Sequence, residues 1–360
     1  MKILIDQSAL KKAISTVIGS SAVKGKLPIF QNIKIDASGG KLNLSATDME
    51  TATNNSCEAL VSDDGSITVP AATFFDIVKK LPSESKIGIE VVDQTLLIKC
   101  GRSKYKLPTM SAEDFPSFSE SKFGAEFEIS SKDLINLIDK TRFAISSDET
   151  RYYLNGLCLN SVESDGQFKI NAVSTDGTRL GLSTINSDIN LEFSVILPKK
   201  TVGDIRKLAA ECNLAKIRIS KRIIKIEFGS ITYSSKLIDG EFPDYRRVIP
   251  TNNDQLVIVN KQSLFQCLDR ISTVAASDKH NSIKLIFENN KLVLTALGGS
   301  EELDINYQGD KIEIGFNAKF LMDLISHVDE ESVEMFLSKN SAPALVKSLN
   351  SQFILMPTRI

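Results

Sequence analysis

A pattern that returns at a fixed interval limits what this chain can fold into more than any other feature. Glu241-Phe-Pro-Asp-Tyr is answered upstream by Asp114-Phe-Pro-Ser-Phe, and the two Phe-Pro pairs, at Phe115 and Phe242, stand 127 positions apart. Ala46, Thr47 and Asp48 return as Ser174, Thr175 and Asp176 at an interval of 128. Two motifs sharing one spacing indicate a duplicated unit, and a fold read without its repeats is read wrongly. A third, fainter copy follows, so the chain reads as one structural unit written three times.

Each copy is expected to hold two helices. In the first copy Ser8 serves as a cap, Leu10, Ala13, Ile14, Val17 and Ile18 keep helical spacing, and Gly19 lies just past the end. The matching helix of the second copy starts near Ser130 with Leu134, Ile135 and Ile138. In the third, Asn260 precedes Leu264, Phe265, Leu268 and Ile271. The second helix of each copy follows a strand: Pro70 leads into Phe74, Phe75, Val78 and Leu81, and Pro198 into Val202, Ile205 and Leu208. Asn317 leads into Phe320, Leu321, Leu324 and Val328. Proline and Asn both suit a helix start.

Most of the remainder alternates apolar and polar residues, as in 32–36, 41–45, 86–90, 216–220, 223–227 and 291–295. This is the pattern of strands with one buried and one wet face. Ser38-Gly-Gly40 and Asn289-Asn290 fit tight hairpin turns. The expected class is α+β, three similar domains each with two helices packed on antiparallel sheet. The expected boundaries are 1–124, 125–250 and 251–360.

Composition narrows the function classes. A chain of 360 residues with 42% apolar content is globular and long enough for two or three domains. No apolar run approaches the ~20 residues of a membrane span, and Asp6 interrupts the apolar start at Met1, so a soluble, cytoplasmic protein is expected. Five cysteines, Cys57, Cys100, Cys158, Cys212 and Cys267, stand singly, which opposes disulfide frameworks and structural zinc. A net charge of −2 and a pI near 5.9 oppose a protein that grips DNA through a large basic surface. Basic residues nevertheless recur on or beside the polar faces of the helices: Lys11 and Lys12, Lys79 and Lys80, and Lys199, Lys200, Arg206 and Lys207. Solvated lysines explain any one helix; their repetition on equivalent helices indicates a shared anionic partner.

The chemistry of an enzyme is missing. His280 and His327 lie far apart, and no phosphate loop, dinucleotide fingerprint or nucleophile elbow occurs. Among the carboxylates Asp48, Asp176 and Asp244, the first two occupy equivalent places in different copies, where turn or cap hydrogen bonding is expected of them. His327 falls near the C-terminal end of a predicted helix, where positive charge is favourable. No cofactor and no metal are expected.

The combination of Glu241-Phe-Pro-Asp-Tyr-Arg-Arg247, Arg151-Tyr-Tyr-Leu-Asn-Gly156, Thr175-Asp-Gly-Thr-Arg-Leu180 and Met356-Pro-Thr-Arg-Ile360 closely resembles the bacterial DNA polymerase III beta subunit family, the sliding clamps, over the full length. The resemblance implies the DNA clamp fold in a ring-shaped head-to-tail homodimer, helices inside and sheets outside. It implies a non-catalytic processivity factor that encircles duplex DNA without reading its sequence. Its partners would be the DNA polymerase III alpha subunit, the clamp loader and other polymerases and repair proteins, held through short peptides. A ring holds DNA by topology, which suits a mildly acidic chain.

The groove implied for those peptides comprises Leu154, Thr175, Gly177, Thr178, Arg179, Leu180, Pro243, Arg247 and Val248, with Asn317, Phe320, Ala342 and Ala344. The tail residues Ile354, Leu355, Met356, Pro357, Thr358 and Arg359 complete it. Apolar walls with a few polar groups suit a peptide with hydrophobic anchors. Phe320 stands where the family commonly has tyrosine and Thr178 where histidine is common, while Ala342, Pro343 and Ala344 make one wall smaller and stiffer. For DNA, the resemblance implies contacts at Lys24 in the loop that ends at Lys26, at Asp148, and at Tyr152 and Tyr153, which can stack on bases or sit half-buried in a strand; the charge pattern adds Lys26 and the helix-face lysines Lys199 and Lys200 as DNA-binding candidates. Asp148 is a poor phosphate ligand, and Ala72 and Thr73 stand where a basic residue is common. Tyr105 and Leu107 against Val274 are the implied dimer contacts.

Two other classes make opposing forecasts. A hydrolase or transferase needs matched acids brought together across a domain junction, and the sequence offers none. A static DNA-binding protein needs a basic domain with steep salt dependence.

Overall fold

Helix caps and hairpin turns divide the chain into three repeats of one element order. The computed structural model describes residues 1–22, 27–116, 118, 122–164, 166–276, 281–338 and 342–358. Among them are six α-helices, two to a repeat: α1 (Gln7–Val17), α2 (Ala71–Lys80), α3 (Ser131–Asp139), α4 (Lys199–Ala209), α5 (Lys261–Ala275) and α6 (Ala318–Ser326). A strand precedes the first helix of each repeat, a group of strands separates the pair, and further strands follow the second. This is a three-domain α+β protein.

The caps explain most helix starts. Asn260 accepts from the Ser263 amide and Asn317 from the Phe320 amide. Ser130 Oγ accepts from the Asp133 amide at 3.0 Å and donates to the Asp133 carboxylate at 2.6 Å, a reciprocal cap. Pro70 and Pro198 end the strands that lead into α2 and α4. Helix α1 departs from expectation, because it begins at Gln7 and leaves Ser8 inside. Its start is fixed by tertiary bonds, from the Gln7 amide to Ser85 O (2.9 Å) and from Gln7 Nε2 to Val78 O (2.8 Å). Gly19 lies in a 3-10 turn, Ile18–Ser20, that closes the helix, and no left-handed glycine cap forms there.

The chain forms two compact units, Met1–Leu134 with Gly203–Leu237, and Ile135–Val202 with Ile238–Ile360. The first holds a five-stranded and a nine-stranded sheet. In the nine-stranded sheet, Thr51–Glu58 from copy one pairs antiparallel with Ile231–Lys236 from copy two, so one sheet crosses the join between repeats. Its core packs Leu10, Ile14 and Val17 of α1 and Phe74 and Val78 of α2 against Ile33, Ile35, Leu42, Leu44, Ile87 and Ile89. The second unit holds an eight-stranded and a four-stranded sheet. There Arg179–Ser187 pairs with Ser351–Leu355, which joins copies two and three in the same way. Leu264, Leu268, Ile271, Leu321 and Leu324 pack on Phe287, Phe316 and Phe353.

Five expected core positions differ. Phe265 is exposed while Cys267 takes the core place on α5, Ile135 is half-buried while Leu137 is buried, and Ile18, Phe75 and Phe320 are half-buried. On α3 and α5 the apolar stripe is rotated by two residues from the one read off the sequence. All five cysteines are free, with Cys100, Cys158 and Cys267 buried and Cys57 and Cys212 half-buried.

The turns keep the repeat in atomic detail. Gly39 and Gly40 (φ 57° and 75°) and Asn289 and Asn290 (φ 52° and 61°) close two-residue hairpins, as left-handed turns require. In copy one Asp48 Oδ1 accepts from the amides of Glu50 and Thr51, while Thr47 Oγ1 donates to Thr51 O. In copy two Asp176 Oδ1 accepts from the amides of Thr178 and Arg179, while Thr175 Oγ1 donates to Arg179 O. Both aspartates therefore build turns. The left-handed position is Met49 in the first (φ 72°) and Gly177 in the second (φ 91°), and copy three bends with Gly298 (φ 79°) at the corresponding place.

Candidate peptide groove and DNA-facing residues

The pairing of Arg179–Ser187 with Ser351–Leu355 sets Leu180 opposite Ile354 and Arg179 opposite Leu355, and the next strand adds Leu345 and Ala344. Alternation then separates two sets of side chains. Leu180, Ile354 and Leu345 join Cys158, Val173 and Leu182 in a buried apolar cluster, against which Phe242, Tyr245, Ile249 and Phe336 pack.

Arg179 governs the second set. Its Nε lies 3.0 Å from Asp176 and its Nη1 2.5 Å from Asp323 of α6. The guanidinium stacks 4.4 Å from the Phe320 ring centroid and 5.4 Å from that of Phe143. Such stacking is worth ~0.5–2 kcal/mol. His327, whose Nε2 lies 3.7 Å away, and next Arg179, whose Nη1 donates to it, hold the Asp323 carboxyl below its ordinary range. His327 caps the C-terminal end of α6 and stacks on Phe143 at 4.6 Å. Lys140, almost wholly buried, donates to His327 O and Asp329, both at 2.5 Å.

The tail is bound in place. The Met356 amide donates to Thr178 O and the Thr358 amide to Gly315 O, both at 2.8 Å. Met356 itself is exposed.

The segment 242–249 crosses the apolar cluster. Tyr245 OH accepts from Asn160 and Asn171 Nδ2, each at 3.4 Å, and Asn171 Nδ2 also donates to Asn160 Oδ1 at 3.1 Å. Burial pushes the Tyr245 phenol up from its ordinary value. Arg246 and Arg247 both reach Asp244, at 3.0 and 3.2 Å. The 3-10 turn Tyr245–Val248 leaves Arg247 and Val248 exposed.

The expected groove residues therefore divide by depth. Leu154, Leu180, Ala344, Ile354 and Leu355 are buried and can only form a floor, while Thr175, Arg179, Asn317, Phe320, Ala342, Pro357 and Thr358 are half-buried. Gly177, Thr178, Pro243, Arg247, Val248 and Met356 are exposed, and Arg359 lies outside the described residues. Arg179, Phe320, Thr178 and Met356 are joined by direct contacts. The sequence reading missed Phe143, Asp323, His327 and the pair Asn160 and Asn171. Asp323 carried a signal, since it stands one helical turn after Phe320 on the same face.

Of the expected DNA contacts, Lys24 and Lys26 also lie outside the described residues, as does His280. Tyr152 and Tyr153 sit in a 3-10 segment, Glu149–Leu154, which replaces the strand considered for them. Asp148 caps that segment by accepting from the Thr150 amide, which sets it as a turn-former. Tyr152 is exposed and Tyr153 half-buried, their rings 5.7 Å apart at 78°. Lys199 and Lys200 are exposed at the start of α4, with Lys199 Nζ 3.1 Å from Ser147 Oγ. Lys11, Lys12, Lys79, Lys80 and Lys207 are exposed as well.

Of the expected dimer contacts, Tyr105 is exposed on Ser103–Pro108, an outermost strand of the five-stranded sheet, but Leu107 is buried in its own core. Val274 is half-buried, and a Cβ built at Gly299 would lie 3.4 Å from its Cγ2. Gly299–Asp304 is an outermost strand of the four-stranded sheet.

Comparison with known proteins adds three matches in series. Models of the N-terminal, central and C-terminal domains of the DNA polymerase III beta subunit match residues 1–119, 128–244 and 246–359. The beta sliding clamp of Caulobacter vibrioides is 35% identical over 373 aligned positions that cover 100% of both chains. Among solved structures, the beta sliding clamp of C. crescentus superposes with a TM-score of 0.95 at 35% identity. The clamp of Bartonella birtlesii bound to griselimycin gives the same two values. Each of these covers 100% of both chains.

Proposed function

The chain belongs to the DNA polymerase III beta subunit family, the bacterial sliding clamps, and on that premise we propose which of its residues carry the work. The family role is that of a non-catalytic processivity factor, which holds the replicative polymerase and other replication and repair proteins on duplex DNA.

The proposed domains are 1–124, 125–250 and 251–360. Two copies close head to tail into a ring. The charge pattern supports this: one outermost strand carries Lys104 and Lys106 around Tyr105, and the other carries Asp304 together with Glu301 and Glu302, which Arg270 and Lys291 of the same chain already meet. An outermost strand offers unpaired amides and carbonyls to a neighbouring chain, and opposite charges favour addition of unlike strands. Exposed lysines on α1, α2 and α4, with Lys24, Lys26, Tyr152 and Tyr153, meet phosphates loosely enough to slide. The cytoplasm, where bacterial DNA lies, is the proposed location; no helix among the described residues is long and apolar enough to cross a membrane.

The partner-peptide site is the groove over Leu180 and Ile354, bounded by Arg179 stacked on Phe320, by Met356 and by Val248. The observation that carries it is the Met356–Thr178 backbone bond, which fixes an exposed apolar side chain beside an apolar floor. Griselimycin, bound by the Bartonella clamp, is the natural probe of this site.

Retention on nicked circular DNA after loading by the cognate loader tests the ring. Release on linearising the circle, at a salt concentration that keeps the protein on the closed form, is the expected result. Persistence on linear DNA with free ends would replace the clamp reading with contact binding.

A further inference from the structure

The segment 242–249, which lies across the apolar cluster, is secured by its side chains. Its backbone bond, from the Arg247 amide to Asp244 O at 3.3 Å, stays within the segment, as do the ion pairs of Asp244 with Arg246 and Arg247. Among the described residues no backbone hydrogen bond ties 242–249 to a strand of the sheet. Phe242, Tyr245 and Ile249 pack on the cluster, while Pro243, Arg247 and Val248, the groove residues that the segment supplies, are exposed. Apolar contact has no direction, so Phe242 and Ile249 hold the segment down without fixing where it sits. Of the three anchors, Tyr245 alone supplies directed bonds.

What its hydroxyl meets is built across three strands. Asn160, Asn171 and Thr184 stand in register on Gly156–Ser164, Gln167–Thr175 and Arg179–Ser187. Thr184 Oγ1 donates to Asn171 Oδ1 at 2.8 Å, which leaves the Asn171 amide nitrogen for Asn160 Oδ1 at 3.1 Å and for Tyr245 OH at 3.4 Å. With its oxygen so taken, Asn160 turns its own nitrogen to the same hydroxyl, also at 3.4 Å. The two asparagines are only 5% and 7% exposed, and burying amides is costly unless they are bonded. The neighbouring row on this face, Cys158, Val173 and Leu182, is apolar. A second apolar row would serve the sheet as well; the polar one adds two donors aimed at a single phenol.

The bonds within the row are short, and those to the hydroxyl exceed the usual limit of about 3.2 Å. Clefts of about 420 and 390 Å³ flank Tyr245, one towards Phe193 and Ser194, the other towards Leu182 and Gln352. The ring therefore has room to shift, and the segment to follow it, while the row beneath stays intact.

We propose that Tyr245 is a positioning residue of the peptide groove: its hydroxyl, held by the amides of Asn160 and Asn171, sets where Arg247 and Val248 stand beside the floor. The inference rests on the reading of the groove as a peptide site. Without the hydroxyl the segment shifts among several placements, and a bound peptide must order it at the expense of affinity.

Hydrogen exchange and fluorescence polarisation on the full-length protein test this, with a labelled heptapeptide carrying Leu and Phe anchors as the probe. Tyr245→Phe keeps the ring and both asparagines, so the melting temperature should hold. Amides of 242–249 should exchange faster in this variant, and those of Gly156–Ser164 and Gln167–Thr175 at the native rate. Peptide affinity should fall about three- to tenfold, the worth of one hydrogen bond. In a Val248→Ala background, where the positioned side chain is gone, Tyr245→Phe should cost less than about twofold more. Native exchange in 242–249 would overturn the proposal, as would native affinity, or the same loss with and without the Val248 side chain. Faster exchange throughout the sheet would also overturn it, by making the hydroxyl a general support of the fold. A native protein that bound no peptide would instead remove the groove reading, and this inference with it.

Discussion

Arg179 lies over the ring of Phe320, its guanidinium carbon 4.4 Å from the ring centroid, and two carboxylates, Asp176 and Asp323, hold the cation there. Arg179 lies beside the turn that Asp176 builds, and Phe320 and Asp323 lie on α6, so a turn of the central repeat is fixed to a helix of the third. With Nε and Nη1 so engaged, the cation is held in place as a wall of the site.

Replacing Arg179 with lysine should therefore fail to preserve the site. An ammonium cannot span both carboxylates or lie flat on a ring. Arg179→Lys is expected to lower unfolding stability by about 1–3 kcal/mol and peptide affinity by roughly tenfold. Titration with a labelled peptide beside a denaturant melt would decide it; native affinity in the lysine variant would show that charge alone suffices. Phe320→Tyr should change affinity less than twofold.

The paired aspartate turns give a second, asymmetric expectation. Met49 carries a left-handed φ that costs a side-chain-bearing residue about 1–2 kcal/mol, whereas Gly177 carries its own freely. Met49→Gly relieves that cost and restores chain entropy worth ~0.4–1 kcal/mol, so it should leave stability nearly unchanged or slightly improved. Gly177→Met should destabilise by about 1–2 kcal/mol, and must also displace Arg151, whose Nη1 would lie 2.7 Å from the new Cβ. Equal melting temperatures for the two variants would contradict the shared turn geometry.

These turns mark how far the sequence could be read. Asp48 and Asp176 were legible as turn-formers because their hydrogen bonds run to neighbours in sequence. Asn260, Asn317 and Ser130 were legible as caps for the same reason. Helix α1 was misplaced because Gln7 is held by Val78 and Ser85, seventy residues and more away. The groove residues were recognised through motifs, but their depth was not, since burial of Leu154 or Leu107 depends on strands distant in sequence. Lys140 bonding to His327 and Asp329 left no local trace at all.

Acid should loosen the junction through Asp323. Its carboxyl is held below the ordinary range, so its contribution is fully present above the unfolded carboxylate value, about 3.9. That contribution is lost as pH falls through the lowered folded value. Asp323→Asn removes it at every pH. The native protein should thus exceed the variant in stability at pH 7 and converge on it as pH falls below the ordinary carboxylate value. Denaturant midpoints at pH 7, 5 and 3.5 would show this, and a difference that stayed constant would exclude Asp323 as the source.

The proposed seam between copies predicts a charge-reversal pattern. Lys104→Glu with Lys106→Glu sets like charges against Glu301, Glu302 and Asp304 of a second copy and should shift the protein to monomer in sedimentation. The reciprocal variant, Glu302→Lys with Asp304→Lys, should do the same alone, and mixing the two variants should restore association. Two variants that each remained fully dimeric would rule these strands out.

The tail separates peptide binding from assembly. Met356 and Thr358 are tied by backbone bonds to Thr178 and Gly315, while Phe353, Ile354 and Leu355, just before them, are buried. Deleting residues 356–360 therefore removes the exposed Met356 wall and two hydrogen bonds but leaves the strand Ser351–Leu355 paired to both neighbours. Loss of the two bonds costs about 1–3 kcal/mol at most, which a domain of this size tolerates. Peptide binding should disappear while sedimentation still reports a dimer, because the tail is not part of the outermost strands assigned to the seam. A truncated protein that fell to monomer or unfolded would place the tail in the core, and one that kept full affinity would remove Met356 from the groove.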